Sequence, residues 1–158
     1  MGVQFDASDI VGIAVRIEEN GGNFYRFAVQ LAKDEKTKEV FQRLADDEYR
    51  HEKIFQNMLS KIETHALPAG YPDEYGAYLR NYVDSNIIFT EEAMEKELTK
   101  IKDVPSALDF AIRREMDSIL YYQEIKVFVS KDQHKVIDEI MAEERSHFET
   151  LSALRAGI

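Results

Sequence analysis

A chain of 158 residues is the length of one domain, and its net charge of −10 shows no basic patch that could engage phosphates, which argues against a nucleic-acid partner. With 44% apolar and 32% charged residues but only 7 Gly and 3 Pro, the composition favours a globule of long helices over one of many short strands. The absence of cysteine excludes disulfides, zinc ribbons and iron–sulfur ligation together. No apolar run approaches the ~20 residues of a membrane span. The N-terminus has neither the basic start nor the apolar stretch of a signal peptide, and Asp6 stands where myristoylation wants Ser or Thr. The expectation is a single cytoplasmic domain over residues 1–158 with no membrane contact.

The first long helix is predicted from about Ser8 to Lys33, with Ser8 or Asp9 as its N-cap and an apolar seam of Ile10, Ala14, Ile17, Gly21, Phe24, Ala28 and Leu31. A second starts between Asp34 and Thr37 and runs to about Thr64, its seam reading Phe41, Leu44, Glu48, His51, Phe55, Met58, Ile62. Pro68, Gly70 and Pro72 then form the strongest breaker cluster in the chain. Residues 74–83 and 90–101 suit short helices that carry the chain from one end of a bundle to the other. Asp103-Val104-Pro105 opens a third long helix with proline in its first turn, and the seam is Leu108, Ala111, Glu115, Ser118, Tyr122, Ile125, Val129. The fourth begins at Lys131 or Asp132 and ends near Ala156-Gly157, along Ile137, Ile140, Glu144, His147, Leu151 and Leu154.

Two of these seams carry a Glu-x-x-His pair, Glu48 with His51 and Glu144 with His147, where apolar residues belong. One such pair on a highly charged helix reads as solvated surface. Here the chain repeats. Glu18-x-x-Gly-x-x-Phe-Tyr mirrors Glu115-x-x-Ser-x-x-Tyr-Tyr, and the matching Glu-x-x-His glutamates follow 30 and 29 residues downstream. Two hairpins related by a pseudo-two-fold would bring Glu18, Glu48, His51, Glu115, Glu144 and His147 to one level of a four-helix bundle. Buried carboxylates are costly unless something cationic meets them. Four carboxylates and two neutral imidazoles are neutralised by two divalent ions. Oxygen ligands mixed with imidazole suit iron or manganese, singly or mixed, better than a structural zinc.

Tyr25 and Tyr122 each follow a glutamate of the first and third helices by seven residues. Each is positioned to hydrogen-bond a ligand carboxylate or pass an electron, and core packing is the plainer alternative. His65 and His134 belong to neither triplet and are expected at the surface. Glu91, Glu92, Glu95 and Glu97 read as a solvated face, and Arg113 and Arg114 are expected to point outward.

At these residues the chain resembles the ferritin-like di-iron carboxylate superfamily over about residues 8–155. Glu18-x-x-Gly-x-x-Phe-Tyr, Leu44-Ala-Asp-Asp-Glu-Tyr-Arg-His51 and Glu143-Glu-Arg-Ser-His147 are most similar to its rubrerythrin-related branch. The resemblance implies an all-α, ferritin-like four-helix bundle with a long crossover between the second and third helices. It implies two iron ions held by the six residues, with Glu48 and Glu144 bridging. It also implies a di-iron oxidoreductase that reduces hydrogen peroxide or dioxygen, and a homodimer. Iron binding with ferroxidase storage, or a structural metal-bearing bundle, are the other readings.

Several positions depart from the family pattern. Without cysteines there is no rubredoxin domain, so the reductant is expected to be a separate electron-donor protein. Ala111, Ile112, Ser118 and Ile119 occupy the places where rubrerythrins carry an extra carboxylate, which argues against ligand switching. Tyr49 stands where a bacterioferritin has its haem-ligating Met, so no haem is expected. Only 11 residues follow His147, too few for the fifth helix of a storage cage.

Overall fold

The computed structural model describes residues 6–62, 77–78, 81 and 91–158. The helices with described bounds are α1 (Ala7–Leu31), α2 (Glu35–Ser60), α3 (Glu91–Leu98), α4 (Val104–Ile125) and α5 (Lys131–Ala156), with a 3-10 turn at Lys126–Phe128. There is no strand among the described residues. Of the short helix expected over 74–83, only Ala77, Tyr78 and Asn81 are described, all helical. The breaker cluster and His65 lie outside the described residues. No helix is long and apolar enough to cross a membrane among them.

The helix starts are fixed by aspartates. Asp6, not Ser8 or Asp9, caps α1: its carboxylate accepts the Asp9 N–H at 2.8 Å, while the Asp9 carboxylate accepts the Asp6 N–H at 3.0 Å. Asp34 accepts from the Thr37 N–H at 2.9 Å, and this cap ends the preceding helix at Leu31 rather than Lys33, because Ala32 must already be extended. The resulting tight connection makes α1 and α2 an antiparallel hairpin. Asp103 caps α4 in the same way, with Pro105 in the first turn as expected. α2 stops at Ser60, short of the expected Thr64, so Ile62 lies beyond the helix and is half-buried.

The second hairpin, α4 with α5, also corrects one seam position. The 3-10 turn after Ile125 tightens the chain, so Phe128 takes the buried place assigned to Val129, which is extended and half-buried. The two hairpins meet through α1 and α4. Phe24 stacks near Phe110, Tyr25 reaches Glu115, Tyr122 reaches Glu18, and Tyr121 donates to the Ile10 carbonyl at 2.7 Å. Residue numbers rise on one helix as they fall on the other, so α1 and α4 are antiparallel. α2 and α4 are therefore parallel.

The apolar interior is divided in two. One cluster holds Ile10, Phe55, Tyr121, Ile125, Ile137 and Ile140. The other holds Phe24, Phe41, Leu44, Leu108, Ala111 and Leu151, with Met94 of α3 packed into it. Glu92 and Glu95 of α3 are exposed, and half-buried Glu97 pairs with Lys100 at 2.7 Å, in keeping with a solvated face. Between the clusters lies a layer of buried polar side chains, and each cluster seals one side of it.

Phe55 is fully buried with its ring 4.9 Å from that of Tyr122. Phe55→Ala should cost about 3–5 kcal/mol, read as a lower denaturation midpoint at unchanged m-value.

Candidate metal centre

All six residues of the two predicted triplets are buried at one level, and Glu18 and His51 are wholly inaccessible. Helix geometry places them there. Residues three apart on a helix share a face, so each Glu-x-x-His aims both side chains at the bundle axis. Glu18 and Glu115 arrive from the antiparallel pair α1 and α4.

Their ligand atoms form two overlapping groups. Glu18, Glu48, His51 and Glu144 offer one set of atoms within 4.8 Å of one another, and Glu48, Glu115, Glu144 and His147 offer a second. Glu48 and Glu144 belong to both, the places of bridging carboxylates. His51 Nδ1 lies 3.5 Å from Glu18 Oε2 and 3.1 Å from Glu144 Oε1. His147 Nδ1 lies 3.3 Å from Glu48 Oε1, 3.7 Å from Glu115 Oε1 and 3.0 Å from Glu144 Oε2.

Closeness here is not hydrogen bonding throughout. Glu18 Oε2, Glu48 Oε1, His51 Nδ1 and Glu144 Oε1 are buried with no hydrogen-bond partner. Buried polar atoms rarely go unpaired. These point at one another's lone pairs, an arrangement that two divalent cations satisfy and that protons satisfy poorly. The donor set fits a pair of metal ions.

Without cations the site must use protons. Burial pushes the Glu18, Glu48 and Glu115 carboxyls well above the ordinary range, and the neighbouring Glu144 charge adds to each. Burial would raise Glu144 as well, but the His147 and His51 imidazoles beside it outweigh that and hold this carboxyl low. Burial disfavours the His51 cation, yet Glu144 and its neighbours prevail and lift the imidazole to about 9. His147 moves further in the same direction for the same reason.

Both tyrosines touch the site, and each crosses the bundle to do so. The Tyr25 phenol on α1 donates to Glu115 on α4, and the Tyr122 phenol on α4 donates to Glu18 on α1. Seven residues are about 10 Å of helix rise, and side chains lean toward the helix N-terminus, which lets each ring reach back to the level of the carboxylates. Burial and the facing carboxylates raise both phenols, so they stay protonated donors.

Three participants were missed by sequence reading. His51 Nε2 meets Glu143 at 3.0 Å, and His147 Nε2 meets Asp47 at 3.2 Å. These acceptors fix each ring so that Nδ1 faces inward. Both immediately precede a site glutamate, a matched position that could have singled them out. Arg50 spans the two, bonding Asp47 at 3.1 Å and Glu143 at 3.2 Å, and it holds the Glu143 carboxyl below its ordinary range.

Other expectations fared differently. Arg113 is exposed, but Arg114 is not turned outward: it is half-buried, pairs with Asp117, and lines a small cavity beside Glu48 and Glu115. Its guanidinium carbon lies over the Phe110 ring, 5.9 Å from the centroid. His134 is half-buried and remote from the triplets. Tyr49, in the haem-ligand place, is 54% exposed and faces away from the site.

Two antiparallel helical hairpins that converge four glutamates and two histidines define a ferritin-like di-iron carboxylate protein. The sequence model of the rubrerythrin family matches residues 9–155, and the chain belongs to that family. Among solved structures, it is similar to a candidate ferritin-like diiron-carboxylate protein from Thermotoga maritima. The two share 28% identity at a TM-score of 0.72, over 99% of this chain and 98% of that one. A search of the curated proteins gives no match.

Two measurements probe the centre. The raised glutamate pKa values stabilise the metal-free fold fully below 4.5 and lose that effect as pH rises, and the raised His51 adds stability that is full below 6.5 and lost as pH passes about 9. Metal-free protein should therefore melt progressively lower between these limits, and loading with ferrous ion should flatten the dependence and release about two or more protons per chain. Gly21 gives the second. A Cβ there would stand 2.8 Å from Glu48 Oε2, so Gly21→Ala forces this carboxylate to move. Helix propensity favours Ala by about 1 kcal/mol. The variant should keep or gain metal-free stability in thermal melts while binding metal at least tenfold more weakly.

Proposed function

We propose that the chain is a di-iron oxidoreductase that reduces hydrogen peroxide or dioxygen with electrons from a separate donor protein. The observation that carries this reading is the cavity beside the carboxylates. It measures about 30 Å³, and Glu48, Glu115 and Tyr25 are among the residues that line it. A water needs about 10–15 Å³ on the same measure, so the space suits a molecule of two heavy atoms and not an organic substrate.

The walls favour the same chemistry. Ile17, Phe24, Met94 and Phe110 are apolar, and Arg114, Asp117 and Ser118 add the polar part of the lining. The six glutamate and histidine side chains are themselves buried, which limits side reactions with bulk water. Bound iron would supply the two electrons that peroxide takes up in becoming two waters. The two protons that this reduction needs have sources in the chain. Tyr25 holds one against Glu115 and Tyr122 holds one against Glu18. The chain itself has no cysteine that could hold an iron–sulfur relay, which supports an external reductant.

Stopped-flow oxidation tests the assignment. Protein carrying two ferrous ions per chain should be re-oxidised by peroxide at least tenfold faster than free ferrous ion under the same conditions. A rate no faster than free iron, or uptake of many irons per chain into a large assembly, would sink it in favour of storage.

A further inference from the structure

Every element of the site comes in pairs except one. Glu18 answers Glu115, Glu48 answers Glu144, His51 answers His147, Tyr25 answers Tyr122, and Asp47 answers Glu143. Arg50 has no mate: the repeat places Ser146 at the equivalent position, directly before His147. A single guanidinium therefore serves both halves. One nitrogen bonds Glu143 at 3.2 Å, and the other bonds both Asp47, at 3.1 Å, and Glu143. Those two carboxylates in turn receive His51 Nε2 and His147 Nε2.

We propose that Arg50 is the positioning residue that orients both imidazoles at once, through one planar fork joining their two outer carboxylates. The inference rests on the di-metal reading of the six buried residues. Each imidazole can present its Nδ1 lone pair inward only while Nε2–H points at a fixed acceptor. Asp47 and Glu143 lie near the surface on different helices, with side chains 29% and 38% exposed, and each alone is free to rotate toward water. The fork removes that freedom from both, because a guanidinium meets carboxylates at set angles. Arg50 is itself 49% exposed, so its ion pairs contribute little to global stability. Its effect falls on the geometry of the histidines. Disturbing Asp47 alone should loosen one metal position and disturbing Glu143 alone the other, whereas disturbing Arg50 should loosen both.

Anaerobic titration of the demetallated full chain with cobalt(II), followed by calorimetry and by the visible absorption of the bound ion, separates these cases. The wild type should take up two ions per chain. Asp47→Asn and Glu143→Gln should each weaken one binding step about tenfold or more and leave the other. Arg50→Gln should weaken both steps by similar factors, with the metal-free protein melting within a few degrees of wild type. Arg50→Lys should restore one step at most, since an ammonium lacks the fork, and it carries the test alone should Arg50→Gln fail to fold. Both steps within twofold of wild type in Arg50→Gln, a change in only one of them, or full recovery in Arg50→Lys overturns the proposal while leaving the metal site standing. A wild type that binds fewer than two ions overturns the di-metal reading and this inference with it.

Discussion

Four carboxylates held at one level of an apolar bundle repel one another in a medium that screens charge poorly, and the rest of the structure is arranged around that repulsion. Two hydrophobic clusters seal the layer above and below, so solvent cannot relieve it. The protein instead surrounds the carboxylates with donors: two imidazoles from within the layer and two phenols from across it. Even so, four inward atoms remain without a hydrogen bond. A bundle evolved only for stability would have filled these seam positions with leucine. The cost is tolerable because the same atoms are the ones that divalent cations complete.

The pseudo-two-fold organises the site, and its violations are informative. Glycine at 21 and serine at 118 are the corresponding positions three residues after Glu18 and Glu115. The glycine leaves space that the Glu48 carboxylate occupies, and both residues line the small cavity. That cavity reaches Glu48 and Glu115 and does not include Glu18 or His51 among its lining. The two halves of the centre are thus chemically unequal despite near-identical donors. On the histidine side the inequality is the lone arginine. The cavity and the outer hydrogen bonds of the histidines therefore involve different residues.

Much of this is legible in the amino-acid sequence alone. Helical periodicity gave the four long helices, and the repeated triplets gave the six inward residues, because a ligand set on helices must obey helical spacing. The tyrosines were also visible as neighbours of the site. Which carboxylate each would meet was not, since that depends on how α1 packs against α4 and no spacing within one helix encodes it. Asp47 and Glu143 escaped for another reason. Acids beside a seam are common on a protein this charged, and only their matched positions set these two apart. Arg114 looked like a surface arginine by type, and its inward lean follows from a tertiary contact with Phe110. The 3-10 turn that exchanges Phe128 for Val129 carries no propensity signal at all.

The crossed phenol–carboxylate bonds have a wider meaning for how this chain is put together. Tyr25 of the first hairpin is satisfied by Glu115 of the second, and Tyr122 of the second by Glu18 of the first. This is the self-complementary logic of a symmetric dimer interface, where one patch recognises its own rotated image, enclosed here within one polypeptide. The hairpins are consequently not independent modules joined by a linker. They are mutual templates, and neither has a complete interior until the second has docked.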